Sequence, residues 1–187
     1  GIRKRREKSM EEDMKSLYLI GGPMGVGKTT VGQALKIELE QCVFLDGDWC
    51  WDMHPFQVTP ETKALVLDNI CAVLNNYIQC PAFNNIIFCW VMHEQMIIDE
   101  ILSRIKTESC KVVKISLICT EKALEKRLEK DIAAGLRQPD VIGRSLSYLP
   151  LYSRLDTAKI DVSDKNADQV VKEIKEKSDA RQKNRRE

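Results

Sequence analysis

Apolar residues along the chain fall into five short runs separated by longer amphipathic segments. The runs cover residues 17–20, 42–45, 86–91, 112–119 and 159–162. The first four are nearly continuous in Val, Ile, Leu, Phe and Tyr, which is typical of strands that are covered on both faces. Strands that alternate with helices indicate βαβ units and a parallel sheet. We therefore predict an α/β three-layer sandwich with a five-stranded parallel sheet.

The segments between these runs show helical spacing of apolar residues and helix-boundary signals. The predicted helices cover residues 29–40, 61–79, 94–106, 121–134 and 167–177. Thr59 before Pro60 is an N-cap followed by a first-turn proline, and Thr120 and Asp164 are placed to begin two later helices. Gly135 is placed to end the helix that begins near residue 121.

Residues 135–151 have weak periodicity and carry two prolines and two glycines. They predict a loop or mobile flap, a lid, between a helix and the last strand. The sequence shows neither an internal repeat nor a second domain. We expect a flexible basic N-terminal segment at 1–15, one domain at 16–176 with its lid at about 135–151, and a flexible basic tail at 177–187.

Composition narrows the class of protein. The chain has 187 residues, 43% of them hydrophobic and 30% charged, and a net charge of +1. This is an ordinary globular mixture of about one domain's length. The first 15 residues are charged and the apolar run at 17–20 is too short for the core of a signal peptide, so we expect a cytoplasmic protein without a secretory signal. The basic ends lack aromatics and an apolar face, and we therefore expect neither nucleic acid nor a membrane as partner.

The seven cysteines are odd in number, and none are spaced Cys-x-x-Cys. Four of them lie inside apolar runs, a pattern typical of buried thiols in a reducing compartment. This argues against a disulfide framework or a zinc site.

A phosphate-binding signature follows the first predicted strand. Residues 22–29 read Gly-Pro-Met-Gly-Val-Gly-Lys-Thr, the pattern G-x-x-x-x-G-K-[ST], and a predicted helix follows. Glycines let backbone N–H groups converge on an anion, Lys28 adds a charge for the β- and γ-phosphates, and the Thr29 hydroxyl suits Mg²⁺. The sequence thus predicts binding of ATP and Mg²⁺. The predicted nucleotide-binding residues here are Gly22, Met24, Gly25, Val26, Gly27, Lys28, Thr29 and Thr30.

Two carboxylates follow the second strand, where ligands bind in open α/β sheets. Asp48 is a candidate catalytic base that would accept a hydroxyl proton, and Asp46 and Asp48 are candidate Mg²⁺ ligands beside Thr29. An Asx turn at the end of the strand is the alternative for Asp46. The third strand has no carboxylate before Glu94, which argues against a motor or AAA-type ATPase.

The Walker A loop, the Asp-Gly-Asp sequence at 46–48 and the absence of a third-strand acid resemble the small-molecule kinase branch of P-loop proteins. That branch includes gluconate kinase, shikimate kinase, adenylylsulfate kinase and chloramphenicol phosphotransferase. The later His-Pro pair at 54–55 is similar to the gluconate kinase pattern at a longer spacing. The chain also resembles nucleotide kinases of Gram-positive bacteria that are grouped with the AAA family.

The resemblance extends through the second half of the domain. Residues 124–128 look like the helix before the lid, and Arg137-Gln138-Pro139 is similar to a lid Arg-Pro pair with an insertion. The resemblance implies the strand order 2-3-1-4-5. It also implies that Arg127 approaches the adenine or ribose, and that Arg137 and Arg144 are catalytic lid arginines that close on the transferred phosphate. An ion pair on the helix surface is the alternative for Arg127.

Acceptor specificity is expected from residues 49–60 and from the end of the third strand. All three tryptophans lie there, with His54 and Phe56, and aromatic walls suit a planar or partly apolar molecule. Lys36 is the sole lysine or arginine between 29 and 62, which favours a neutral acceptor, aromatic or sugar-like, over a phosphorylated one.

These observations predict an ATP- and Mg²⁺-dependent kinase that phosphorylates a hydroxyl of a small molecule. Two alternatives stay open: a nucleoside monophosphate kinase, and a regulatory ATPase that acts on a macromolecular partner. The oligomeric state is not indicated by the sequence.

Overall fold

A parallel sheet forms the centre of the computed structural model, which describes residues 2–12 and 14–184. Its strand order is β2-β3-β1-β4-β5. The strands are β1 (Lys15–Gly21), β2 (Cys42–Asp46), β3 (Asn85–Cys89), β4 (Cys110–Ile118) and β5 (Ala158–Asp161). The predicted fold class and the strand order implied by the resemblance are both confirmed, and the strand boundaries lie within two residues of the predicted ones.

Helices cover both faces of this sheet. They are α1 (Ile2–Glu12), α2 (Lys28–Glu38), α3 (Pro60–Gln79), α4 (Gln95–Arg104), α5 (Glu121–Ala133), α6 (Val141–Tyr148) and α7 (Ala167–Asn184). Side chains of β1 alternate between the two faces. Tyr18 and Ile20 pack in the apolar cluster shared with α2, α5 and α7, and Leu17 and Leu19 pack in the cluster shared with α3 and α4. The central strand is therefore buried on both sides.

Two of the predicted helix starts are confirmed. Thr59 and Thr62 form a capping box at the start of α3, with hydrogen bonds of 2.8 and 3.1 Å. Thr120 Oγ1 accepts the N–H of Ala123 at 3.1 Å. The last helix begins at Ala167, as predicted, but Asp164 does not cap it. Asn166 and Gln169 exchange side-chain hydrogen bonds of 2.9 Å with each other's N–H at its start.

The loop predicted over residues 135–151 is also wrong for most of its length. Residues 141–148 form α6, and a 3₁₀ helix follows at Leu149–Arg154. Val141 and Ser145 are one helical turn apart and both buried, so a single face of α6 packs against the domain. Gly143 and the flanking prolines concealed this short amphipathic helix in the sequence.

Most of the described residues of the two basic ends are helical. Residues 2–12 form α1, and α7 continues to Asn184, seven residues past its predicted end. The parts of the predicted flexible ends at residues 1, 13 and 185–187 lie outside the described residues. None of the helices in residues 2–12 and 14–184 has the length and apolarity needed to cross a bilayer.

Candidate functional site

The loop that connects β1 to α2 has the backbone of an anion cradle. Gly22, Gly25 and Gly27 all have positive φ angles, of 153°, 85° and 106°. A Cβ on Gly25 would lie 2.4 Å from Leu128 Cδ2 of α5, so a larger residue there would push the loop away from the domain. Gly27 is the N-cap of α2, and no side chain caps its first turn. The first amides of α2 are therefore free of side-chain caps, as phosphate binding at a helix start requires.

Lys28 is folded back over this loop. Its Nζ donates to the carbonyl oxygens of Gly22 at 2.8 Å and Pro23 at 3.0 Å. Burial lowers the pKa of Lys28 to about 8, and the negative charge of Asp48 opposes that shift. A phosphate near Nζ would supply a further negative charge and favour the protonated ammonium.

Thr29, Asp46 and Asp48 are brought together at the carboxyl ends of β1 and β2. Thr29 Oγ1 donates to Asp46 Oδ2 at 3.1 Å, and the N–H of Asp48 donates to Asp46 Oδ1 at 2.9 Å. Asp46 therefore makes the Asx turn and also contacts Thr29, so the two interpretations of this residue are compatible. One hydroxyl and two carboxylates lie at one point of the sheet edge, and they are oxygen donors of the kind that Mg²⁺ prefers.

Asp48 is held between this turn and Trp90, the residue after β3. Burial raises the pKa of the Asp48 carboxyl, the charge of Asp46 raises it further, and Lys28 and a hydrogen bond from Trp90 act in the opposite direction. A Cβ on Gly47 would lie 2.5 Å from Trp90 Cγ, so glycine is what lets the indole approach the turn. A carboxylate with a raised pKa at this edge of the sheet is a candidate general base.

Arg127 reaches the loop from α5. Its guanidinium donates to Val26 O and to Val162 O, both at 2.8 Å, and a Cβ on Gly27 would lie 3.3 Å from its Nη1. Arg127 therefore links the phosphate loop to the end of β5 through hydrogen bonds from its guanidinium. The surface ion pair considered as its alternative is not what the structure contains.

The two predicted lid arginines have different surroundings. Arg137 Nε donates to Asp131 Oδ2 at 3.1 Å, and the charge of Arg137 contributes to the pKa values of both Lys28 and Asp48. Arg144 lies 3.9 Å from Asp140 in an exposed pair on α6. Arg137 thus acts electrostatically on the site, whereas Arg144 belongs to the outer face of the lid.

Several residues at this site were missed by the sequence analysis. Ser145, which is fully buried in α6, donates to the carbonyl of Met24 in the loop at 2.7 Å. The hydroxyl of the buried Tyr152 donates to Val91 O at 2.6 Å. Val141 and Ser145 are four residues apart, which is helical spacing. The helix that contains them has eight residues and is shorter than the window from which a helix can be predicted.

The two tryptophans after β2 pack in two separate pairs of aromatic rings. Trp49 packs edge-on against Phe44, with ring centroids 5.6 Å apart, and Trp51 lies 5.8 Å from Phe56. Trp49 is 56% exposed and Phe56 66% exposed. Of the predicted aromatic set, Trp90 is the one in contact with the Asp46–Asp48 turn. Thr30, in the first turn of α2, is exposed.

Comparison with known proteins gives one family. Residues 19–135 match the model of a family described as the AAA domain. No curated protein sequence matches the chain.

Solved structures of similar fold come from several bacterial proteins. A gluconokinase from Sinorhizobium meliloti 1021 has 17% identity and a TM-score of 0.67, with 92% of this chain and 95% of that chain covered. The tunicamycin resistance protein of Deinococcus radiodurans has 20% identity and a TM-score of 0.59, with coverage of 86% and 93%. A sugar kinase from Janibacter sp. HTCC2649 has 15% identity and a TM-score of 0.58, with coverage of 85% and 91%. The fold is therefore that of P-loop kinases.

Proposed function

Because the chain belongs to the AAA-domain family of P-loop proteins, we propose that it is an ATP- and Mg²⁺-dependent kinase that transfers the γ-phosphate to a hydroxyl of a neutral small molecule. The observation that carries this proposal is the position of Asp48. Its carboxyl lies beside Lys28, Asp46 and Trp90, where a hydroxyl brought to the phosphate site would find a base.

The residues present fit ATP. The uncapped first turn of α2 and the Lys28 ammonium provide donors and positive charge for phosphate oxygens. Arg127 keeps the loop at the end of β5 through Val26 and Val162, and the resemblance places the adenine or ribose near this residue. Met24 lies within the loop, and Thr30 lies in the first turn of α2.

The residues also fit Mg²⁺. Thr29 and Asp46 would hold it, with Asp48 as a further carboxylate. A bound Mg²⁺ would neutralise phosphate charge.

In the protein itself, Asp46 fixes the turn that presents Asp48, and Asp48 would accept the proton of the acceptor hydroxyl. Arg137 would compensate the charge that spreads over the phosphoryl oxygens in the transition state, with Arg144 as the more remote lid arginine.

A neutral acceptor is supported by the position and the pairing of Arg104, which ends α4 at the edge of the sheet where β4 begins, opposite the Asp46–Asp48 turn. Arg104 in α4 is hydrogen-bonded to Asp68 and lies 3.7 Å from Glu100, so its charge is already matched by two carboxylates. A phosphorylated or carboxylated acceptor needs a free bidentate donor. The sugar kinase among the similar folds supports a polyhydroxylated molecule.

The test is ADP release by the purified chain with Mg²⁺ and ATP, alone and with sugars, nucleosides, nucleoside monophosphates and aminoglycoside or phenicol antibiotics. Lys28→Ala is the inactive control, and Lys36→Ala, which removes a lysine from the last turn of the same helix, is the matched variant that stays active. Acceptor-dependent ADP release lost only in Lys28→Ala is the expected result. ATP binding without any acceptor-dependent turnover contradicts the proposal and favours a regulatory ATPase.

A further inference from the structure

The segment that follows β3 is held in a strained conformation. Met92 has a φ angle of 36° although it is not glycine, and it is 1% exposed. Such a conformation costs about 1–3 kcal/mol and persists where the surroundings enforce it. Here the carbonyl of Val91 accepts the Tyr152 hydroxyl at 2.6 Å and the N–H of Gly22 at 3.3 Å. These bonds tie the segment both to the phosphate loop and to the 3₁₀ helix after α6.

The backbone conformation of Met92 determines the position of His93, the next residue. Its ring stacks on Tyr148 of α6 with centroids 4.3 Å apart and an interplanar angle of 5°. Nε2 lies 3.4 Å from Glu94 Oε1. Nδ1 is buried and, among the described residues, has no hydrogen-bond partner. A buried polar atom left in this way costs free energy, which a ligand that pairs with it would recover.

The neighbours of His93 fix the chemistry of that ligand. In the neutral ring, a carboxylate beside Nε2 favours the imidazole tautomer with its hydrogen on Nε2, which leaves a lone pair on Nδ1. Nδ1 then accepts a hydrogen bond and cannot donate one. A hydroxyl or N–H group of the ligand can donate a hydrogen bond to Nδ1. An ionised carboxylate or phosphate oxygen cannot, because it also presents a lone pair and the two would repel each other.

We propose that His93 is a specificity-determining residue, and that its Nδ1 accepts a hydrogen bond from a hydroxyl of the acceptor that is not phosphorylated. This inference rests on the proposed function. The segment carrying His93 begins at Trp90, which contacts the Asp48 turn, and it meets the phosphate loop at Gly22. An acceptor between Asp48 and α6 would therefore lie against it, and His93 would select neutral, hydroxyl-rich molecules over anionic ones.

Kinetics with matched probes test the selection. The pairs are D-sorbitol with D-gluconate and adenosine with AMP, in each of which the members differ chiefly by an anionic group. His93→Phe keeps a ring to stack on Tyr148 but removes both nitrogens, and His93→Asn restores an acceptor near the position of Nδ1. We expect His93→Phe to raise KM for the better neutral probe by about tenfold or more, the effect of one lost hydrogen bond. The KM for ATP should change by less than about twofold, and His93→Asn should recover most of the loss.

A direct readout comes from the imidazole nitrogens. The chain has two histidines, so ¹H–¹⁵N correlation spectra of the ring resolve them, and His54→Asn identifies the remaining pair as His93. We expect the hydrogen on Nε2 and a shift of the Nδ1 resonance when the probe with the highest turnover is added. A hydrogen on Nδ1, or an Nδ1 resonance that this probe leaves unmoved, overturns the inference.

The two proposals fail in different ways. Acceptor-dependent ADP release that His93→Phe leaves unchanged overturns the role of His93 alone. A preference for gluconate and AMP overturns both the role of His93 and the neutral acceptor, but not the kinase activity. Absence of acceptor-dependent ADP release with every probe overturns the kinase proposal, and the role of His93 with it.

Discussion

The hydroxyl of Ser145, fully buried in α6, donates a hydrogen bond of 2.7 Å to the carbonyl oxygen of Met24 in the phosphate-binding loop. The two residues are 121 positions apart in the chain. Helix α6 is thus bonded directly to the loop between β1 and α2. A change in the position of α6 therefore changes the backbone of that loop.

Ser145→Ala should weaken both stability and nucleotide binding. The substitution leaves the Met24 carbonyl without its partner, which costs about 1–2 kcal/mol, and frees the loop to move. We expect a lower urea midpoint and a KM for ATP raised severalfold. Ser147→Ala is the matched control, because that exposed hydroxyl bonds to Arg144 O on its own helix. Equal stability of the two variants would show that the contact with Met24 has no energetic role.

The phosphate-binding loop was predictable because its chemistry is contiguous in sequence. Residues 22–29 must include glycines where φ is positive and a lysine and threonine at the helix start, so the motif itself records the geometry. The two carboxylates after β2 were predictable for a similar reason, since the end of a parallel strand is where ligands meet the sheet.

The other contacts depend on tertiary packing. Nothing in the sequence around Arg127 indicates that it bonds to Val26 and Val162, which are distant in the chain. His93 has no metal-ligand partner at i+3 or i+4 in the sequence. The features that single it out are tertiary: the ring of Tyr148 stacks on it, and Met92 before it has a positive φ angle. Such relationships form only when separate elements meet, and one-dimensional patterns do not record them.

The pH dependence of the proposed reaction should report Asp48. Burial and the charge of Asp46 raise the pKa of the Asp48 carboxyl, and a general base must be deprotonated. Activity should therefore be present above this raised pKa and fall as the pH decreases through it. Asp46→Asn removes one of the charges that raise the pKa, so the acid limb of kcat/KM should move to lower pH.

Asp48→Asn provides the control for that profile. It should lower kcat by about 100-fold or more, as expected for loss of a general base, with the KM for ATP nearly unchanged. Wild-type activity in Asp48→Asn would remove this residue from the role of base. An acid limb that Asp46→Asn leaves in place would assign the titration to another group.

Arg137 should matter more than Arg144. The charge of Arg137 acts on Lys28 and Asp48, whereas Arg144 is paired with Asp140 on the exposed face of α6. We expect Arg137→Gln to lower kcat by about 100- to 1000-fold, the effect of losing a donor that stabilises transition-state charge. Arg144→Gln should cause a clearly smaller loss. Steady-state kinetics at saturating ATP distinguish the two, and the reverse order would place Arg144 over the transferred phosphate.

Lys28→Met should stabilise the folded protein while abolishing activity. Burial lowers the pKa of Lys28 from 10.5 to about 8, so below pH 8 folding must hold an ammonium in surroundings that disfavour its charge. The folded protein binds fewer protons than the unfolded chain between those two values, and wild-type stability therefore rises with pH across that interval. We expect Lys28→Met to be more stable than wild type by about 1–2 kcal/mol at pH 7. The advantage should shrink as the pH rises above 8.

Urea unfolding at pH 7 and pH 9.5 measures the difference, and comparing the two pH values cancels the loss of the bonds to Gly22 and Pro23. Lys36→Met serves as the control at the other end of α2, and an advantage of Lys28→Met that is equal at both pH values would contradict the lowered pKa.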